Sequence, residues 1–412
     1  MNGEAGGGGA SSLVRAAGVW GPGLLVMLAD TDAGNVVAAA EAGARWGYRL
    51  LPLVLLLIPM LYLLQELTVR LGVHTGRGHA ELIRERYGLG WAVVAVVGLA
   101  AASIGSLVTN FTGVAGIGEM FGLPRAVTLP LAAAALLAIV GAGAYRRVER
   151  AALFVGLFEL AFFAVAFAAH PSLGTLARDA VDLPLGDRQF LYMAAAVIGA
   201  TFNPWMVFYQ QSATVDKGLG TDDLGHARLD TAIGAVLTQA LTGAVVIAVA
   251  AARGSAAPSS LPTVGAISGA LAPALGEVFG KIVFGAGVLG ASLVAAMVAS
   301  LALAWGVGEV AGYKRDLERH PFAAGWFYGA YAVSVLGSAS LVWGSTSLVA
   351  LNIAAQALNA LLMPLAIGLL VALAATALPP PVRLRRGRLF IVAGISTAVT
   401  AFAVFGALHA LV

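Results

Sequence analysis

Apolar stretches long enough to cross a bilayer follow one another along nearly the whole chain. They lie at about 18–45, 49–69, 90–121, 126–144, 151–169, 190–216, 228–252, 278–311, 323–343, 347–377 and 389–411. A hydrocarbon core about 30 Å thick takes about 20 residues of helix. Lipid offers no partner to a backbone N–H or C=O, so such stretches fold as helices that satisfy themselves. Only 11% of the 412 residues are charged, against about 25% in soluble domains. The short alternating segments of a transmembrane β-barrel are missing from the sequence. The expected fold is therefore an all-α membrane protein with eleven spans in one membrane domain, 15–412. The start, "MNGEAGGGGASS", lacks the pattern of a signal peptide, and 1–14 reads as a flexible cytosolic tail. With no cysteine in the chain, disulfides, thiolate metal sites and cysteine nucleophiles are excluded. No nucleophile–base pair or metal-hydrolase motif is present, so an enzyme is not expected.

The basic residues test this count. With the N-terminus inside, the connections after spans 2, 4, 6, 8 and 10 are also inside. They carry Arg70, Arg77, Arg84 and Arg86, then Arg146, Arg147 and Arg150, then Lys217 and Arg228. Lys314, Arg315 and Arg319 follow, and finally Arg383, Arg385, Arg386 and Arg388. With Arg15 these are 17 of the 24 Lys and Arg. The opposite face keeps Arg45, Arg49, Arg125, Arg178, Arg188, Arg253 and Lys281. The positive-inside rule supports the count and the orientation together.

Two spans break the apolar pattern in the same way. In span 1, "VMLADTDAGNVVAAA" carries Asp30, Asp32, Gly34 and Asn35 at mid-depth, where a carboxylate costs about 2.5–3.5 kcal/mol or more. In span 6, "IGATFNPWMVFYQQSA" sets Asn203 before Pro204, and a residue before proline is pushed out of the α region. Interrupted spans at corresponding places in two halves point to a transporter with inverted repeats and a site between the breaks. The repeats would cover about 15–170 and 188–378, with an extra helix at about 388–411. A break at Asp32–Asn35 exposes carbonyls beside a carboxylate and a carboxamide, the hard oxygen donors that suit Mg²⁺, Mn²⁺ or Ca²⁺. Span 6 adds Asn203 and the carbonyls of Gly199 to Phe202, Ala200 among them. Gln356 and Asn359 in span 10 complete the candidates, with Asp30, Gln210 and Gln211 in supporting positions.

Plainer readings stand beside these. Asn203-Pro204 reads equally as a structural kink, Gln210 and Gln211 as helix-to-helix hydrogen bonds, and Met206 as packing. Glu66 lies four residues before Arg70, a spacing that pairs them on one helical face. His74, His79, His226 and His320 read as cytosolic surface. His170 lies near an outward loop and His409 near the C-terminus, so no histidine cluster has ligand spacing.

The stretches "GPGLLVMLADTDAGN" and "GYRLLPLVLLLIPMLYLLQELTVRLGVHTGRGHAELIRERYG" are similar to the Nramp family of divalent-metal transporters. That family carries Asp-Pro-Gly-Asn in span 1 and an Arg-Leu-Gly…Thr-Gly-Arg stretch at the end of span 2. "WMVFYQQSATVDKG" resembles the Nramp-related magnesium transporter branch. The resemblance implies a LeuT-like fold with broken helices 1 and 6 and metal bound between them, with Asp32 and Asn35 as ligands. Here Ala33 stands for the signature proline. The family's span 6 methionine and histidine have no direct match, because Asn203 or Pro204 falls at the methionine. Loss of a soft sulfur makes a site harder and more suited to Mg²⁺. "SLVTNFTGVAG" aligns with the family's proton-carrying Asp-x-x-Glu and puts Leu107 and Asn110, which do not titrate, at those places. Gln356 matches a metal-coordinating span 10 glutamine.

The function expected is uptake of Mg²⁺ first and Mn²⁺ second across a bacterial cell membrane, without proton coupling. No cofactor is expected beyond the transported ion, and no partner beyond divalent ions and lipid, neither nucleic acid nor an obligate protein. Two rivals remain: a transporter of an amine or other small organic solute, and a magnesium sensor that does not translocate.

Overall fold

The computed structural model describes residues 19–141, 143, 145–254, 260–313 and 324–411. The tail at 1–14 and the basic residues Arg15, Lys314, Arg315 and Arg319 lie outside them, as does His320. Within them the chain is helical: α1 (Pro22–Leu28), α2 (Ala33–Trp46), α3 (Leu51–Thr75), α4 (His79–Met120), α5 (Arg125–Gly141), α6 (Tyr145–Gly156), α7 (Ala161–Ala168), α8 (Leu173–Asp179), α9 (Arg188–Thr201), α10 (Pro204–Asp216), α11 (Leu224–Arg253), α12 (Val264–Leu275), α13 (Glu277–Ala311), α14 (Gly325–Gly344), α15 (Leu348–Thr376) and α16 (Arg386–Leu411).

Among the described residues eight helices are long and apolar enough to cross a membrane, and the bent pair α1–α2 makes a ninth. The 17-residue α5 and the 20-residue α14 fill the fourth and ninth places of the eleven expected segments. The 42 residues of α4 exceed any bilayer, and Gly88, at φ 85°, divides them into a short helix and the span proper. Glycine tolerates this left-handed conformation without steric cost.

Side-chain contacts sort the connections onto two faces. On one face Arg49 bonds Asp182 at 2.6 Å, Glu41 accepts from Ser260 at 2.6 Å, and Arg125 donates to the Ser345 carbonyl at 3.2 Å. These tie together the odd-numbered connections. On the other, Gln211 donates to the Arg77 carbonyl at 2.9 Å, and Lys217 pairs with Glu149 at 2.8 Å. There Glu309 accepts from the Ala80 amide at 2.9 Å and Tyr87 bonds Thr376 at 2.9 Å, bringing in the ends of α13 and α15. A missed or extra span would have crossed these sets. The second face carries the basic excess.

His79 is a correction. It is fully buried, with Nδ1 2.8 Å from the Gln211 side-chain oxygen, instead of lying at the surface. The turn that carries it is folded under the ends of α10 and α13. Glu66 pairs with Arg70 at 2.7 Å as its spacing requires, and also with Arg228 at 2.6 Å.

Candidate functional site: two helix breaks facing each other

Span 1 bends by 53° between α1 and α2. Asp32 is extended, at φ −66° and ψ 172°, and is the N-cap of α2, accepting from the Asn35 amide at 2.8 Å. An N-cap carboxylate satisfies an orphan N–H and lies at the positive end of the helix dipole. A second orphan, the Ala33 amide, donates to Asn110 Oδ1 at 3.2 Å. Asn110 is therefore a cap here. Its amide also donates to the Ser106 carbonyl at 2.8 Å. Leu107 beside it is fully buried. Asn35 accepts from Thr242 of α11 at 2.9 Å, which orients its carboxamide.

Span 6 breaks at Phe202 and Asn203, both extended, between α9 and α10. Pro204 opens α10 at its first position, where a missing N–H costs nothing. Asn203 links spans 1, 6 and 10. Its amide reaches Asp30 Oδ1 at 3.5 Å and the Ala200 carbonyl at 3.4 Å, and its oxygen accepts from Asn359 of α15 at 3.4 Å. Gln356 lies against α2 so closely that a Cβ on Gly34 would overlap its side-chain amide. Spans 1, 6 and 10 thus converge around the two breaks. Gln210 and Gln211 do not join them: Gln210 bonds Thr231 at 2.7 Å and Thr68 at 3.1 Å, and Gln211 bonds His79. Both hold helix to helix, and Met206 is buried in packing.

Glu159 went unweighed in the sequence. It sits on a 3₁₀ turn, Leu157–Leu160, between α6 and α7, and is fully buried. Short 3₁₀ stretches inside a helix often mark a functional hinge or a sequence under strain. Thr31, Asp30 and Asp32 act on its carboxyl electrostatically. Its oxygens make no hydrogen bond of good geometry among the described residues, and neither does Asp30 Oδ2. None of these three carboxyls has an ion pair there. Three buried acids with no protein cation demand protons, water or a mobile cation. An acid inside an apolar run, in "LFVGLFELAFF", is the signal that could have found Glu159.

Two cavities of about 280 and 160 Å³ border the breaks, one along Ala33, Val37 and Gly113, the other along Gly34, Ala200 and Gln356. Asn352 lines both, with no partner for its side-chain oxygen among the described residues. Both lie on the side of the odd connections, where Pro262 and Glu41 join their walls. The other side is closed over α1. Asp230 accepts from the amides of Gly21, Gly23 and Leu24 at 3.2, 2.7 and 3.2 Å, and Lys217 donates to the Trp20 carbonyl at 2.6 Å. A Cβ on Gly23 would sit 2.8 Å from the Asp230 carboxylate, so this approach requires glycine. The arrangement is a polar centre open to one face and latched toward the other. Among the described residues no three His, Cys, Asp or Glu side chains are grouped to hold a metal, so a bound cation would rely on carbonyls, carboxamides and water beside Asp32.

Comparison with known proteins places this geometry. The "Divalent metal cation transporter MntH" of Verminephrobacter eiseniae is 33% identical over 199 residues, 47% of this chain and 45% of that protein. The chain spans about half the length of the curated relatives it matches. The fold matches the crystal structure of the Eremococcus coleocola manganese transporter with a TM-score of 0.77 at 16% identity, over 99% of this chain and 88% of that one. It also matches Mhp1, a nucleobase-cation-symport-1 family transporter, with a TM-score of 0.57 at 15% identity, over 95% and 90% of the two chains. At such identities the likeness shows a shared LeuT-like fold alone. The family model described as "Natural resistance-associated macrophage protein-like" matches residues 23–408, and the chain belongs to the Nramp family.

Proposed function

We propose that this protein carries hard divalent cations into the cell, Mg²⁺ before Mn²⁺, down the electrochemical gradient and without proton coupling. The observation that carries the reading is Asp32, a buried carboxylate capping α2 at a helix break that faces a second break. Asp32 is the charged ligand and Asn35 a neutral one. The carbonyls near Ala200 and Phe202, with Asn203 and Gln356, complete the shell or bond its retained waters. Mg²⁺ sheds water reluctantly, which suits carboxamides arranged around it better than a thioether. Relatives named as divalent metal cation transporters support the substrate class. The basic face is the cytosolic one in this reading, with the N-terminus inside and the membrane that of a bacterial cell. One domain, 15–412, does the work, with repeats 15–170 and 188–378. An inside-negative potential contributes about 2.3 kcal/mol per charge per 100 mV, doubled for a divalent ion.

The test is metal flux into proteoliposomes. Wild type moves Mg²⁺ and Mn²⁺, and Asp32→Ala, still folded and inserted, moves neither. Flux retained in the variant overturns the site. Wild-type binding without flux would favour a sensor, and competition by millimolar amines an organic-solute carrier.

A second reading, proton coupling by another route, is favoured by Glu159. Its carboxyl is buried beside the break, where Leu107 and Asn110 cannot carry protons. Acidification that follows metal entry in wild type and disappears in Glu159→Gln would establish it.

A further inference from the structure

On the basic face, away from the helix breaks, lies a cavity of about 720 Å³ among α3, α11 and the segment leading into α16. Arg70, His74, Arg228, Arg383, Arg385 and Arg388 line it. Glu66 balances Arg70 and Arg228, at 2.7 and 2.6 Å. Arg383, Arg385 and Arg388 have no acidic partner among the described residues. The Arg383 guanidinium only donates to the Leu378 carbonyl at 3.3 Å. His74 Nε2, on the same wall, is buried and has no hydrogen-bond partner among the described residues. A site holding so many forked donors and one carboxylate calls for an anion with several oxygens.

A second cavity, of about 210 Å³, shares Arg70, Arg228 and Arg388 with the first. Its other walls are Tyr62, Leu63, Leu67, Leu384, Ile391 and Val392, with Glu66 at the end where it pairs with Arg70 and Arg228. Tyr62, Leu63 and Leu67 belong to α3 and Ile391 and Val392 to α16, Leu384 lies in the segment just before α16, and Ile391 is exposed. The cationic mouth therefore continues into an apolar groove between two membrane helices. A free phosphate has no use for the groove, whereas a phospholipid has a charged head for one part and acyl chains for the other. Basic pockets between transmembrane helices on the cytoplasmic side suit anionic headgroups.

We propose that this pair of cavities is a binding site for an anionic phospholipid, its phosphate held by Arg383, Arg385, Arg388 and His74 and its acyl chain along Leu63, Leu67 and Ile391. The bound lipid bridges α3 and α11 to the start of α16, the extra helix outside the repeats. The site does not depend on which ion is transported.

The test uses the full chain in detergent, titrated with dioleoyl phosphatidylglycerol and observed by native mass spectrometry and thermal unfolding. Dioleoyl phosphatidylcholine and inorganic phosphate are the comparison probes. The expected result is a phosphatidylglycerol adduct and a raised Tm, with phosphatidylcholine at least tenfold weaker and 10 mM phosphate without effect. Changing Arg383, Arg385 and Arg388 together to Gln lowers phosphatidylglycerol affinity by about tenfold or more, as loss of three interfacial charges implies. The same three changed to Lys retain most of it and control for folding. Equal binding of the two lipids, unchanged affinity in the Gln variant, or phosphate competing away the lipid adduct overturns the proposal.

Discussion

The contact between Asp230 and the start of α1 predicts how firmly the basic face is closed. Three amides of one short helix converge on one carboxylate, at 3.2, 2.7 and 3.2 Å, and the carboxylate is buried. Asp230→Asn preserves volume but replaces one acceptor oxygen with a donor and removes the charge. The oxygen that stays can keep Gly23, and the Leu24 amide then faces an NH₂ group. A hydrogen bond to a charged group contributes about 1.5–3 kcal/mol and a neutral one about 0.5–1.5. Removing a charge from a helix N-terminus costs about 0.3–1 kcal/mol more. The net loss is about 2 kcal/mol, or about thirtyfold in the opening equilibrium of α1. Hydrogen exchange of the protein in lipid nanodiscs reads this directly. Amides from Leu25 to Ala29 should exchange about thirtyfold faster in the variant, while those of α4 and α13 keep their wild-type rates. Unchanged exchange in α1 would refute the assignment of Asp230 as its latch. Acceleration spread over all helices would refute it equally, since it would mean a general loss of stability.

Asn203→Met puts a soft donor at the span 6 break and should raise the ratio of Cd²⁺ to Mg²⁺ flux in proteoliposomes. An unchanged ratio means Asn203 only ends α9 and holds Asp30 and Asn359. Gly34→Ala forces the Gln356 amide off α2, an overpacking of about 1–3 kcal/mol, and should lower metal flux at least tenfold with Tm nearly kept; normal flux would remove Gln356 from the site. On the proposed uncoupled mechanism, in which Leu107 and Asn110 replace titrating groups, Mg²⁺ entry should leave an internal pH dye unchanged. Acidification that survives a protonophore control would defeat this.

Much of this architecture was legible in the sequence. Hydropathy counts helices because lipid accepts no unsatisfied backbone, and the alternation of basic residues sorts their connections before any contact is known. The two breaks were also visible: Asp32 and Asn35 sit in an apolar run, and Pro204 restricts the residue before it. These are local properties of short stretches. Partners distant in the chain were not legible. Asp230 meets Gly23 and Thr242 meets Asn35 across more than 200 residues, and no periodicity records such pairs. Asn110 caps α2 because α4 passes beside the break, although its own sequence says only that it cannot carry a proton. His79 looked like surface because it sits in a polar turn, and only the packing of α10 and α13 over that turn buries it. Glu159 gained its meaning in the same way, when folding buried its carboxyl within electrostatic reach of Asp30 and Asp32. Composition and pattern determine what a bilayer will accept, segment by segment. Which polar groups share one dry interior is decided where the helices touch.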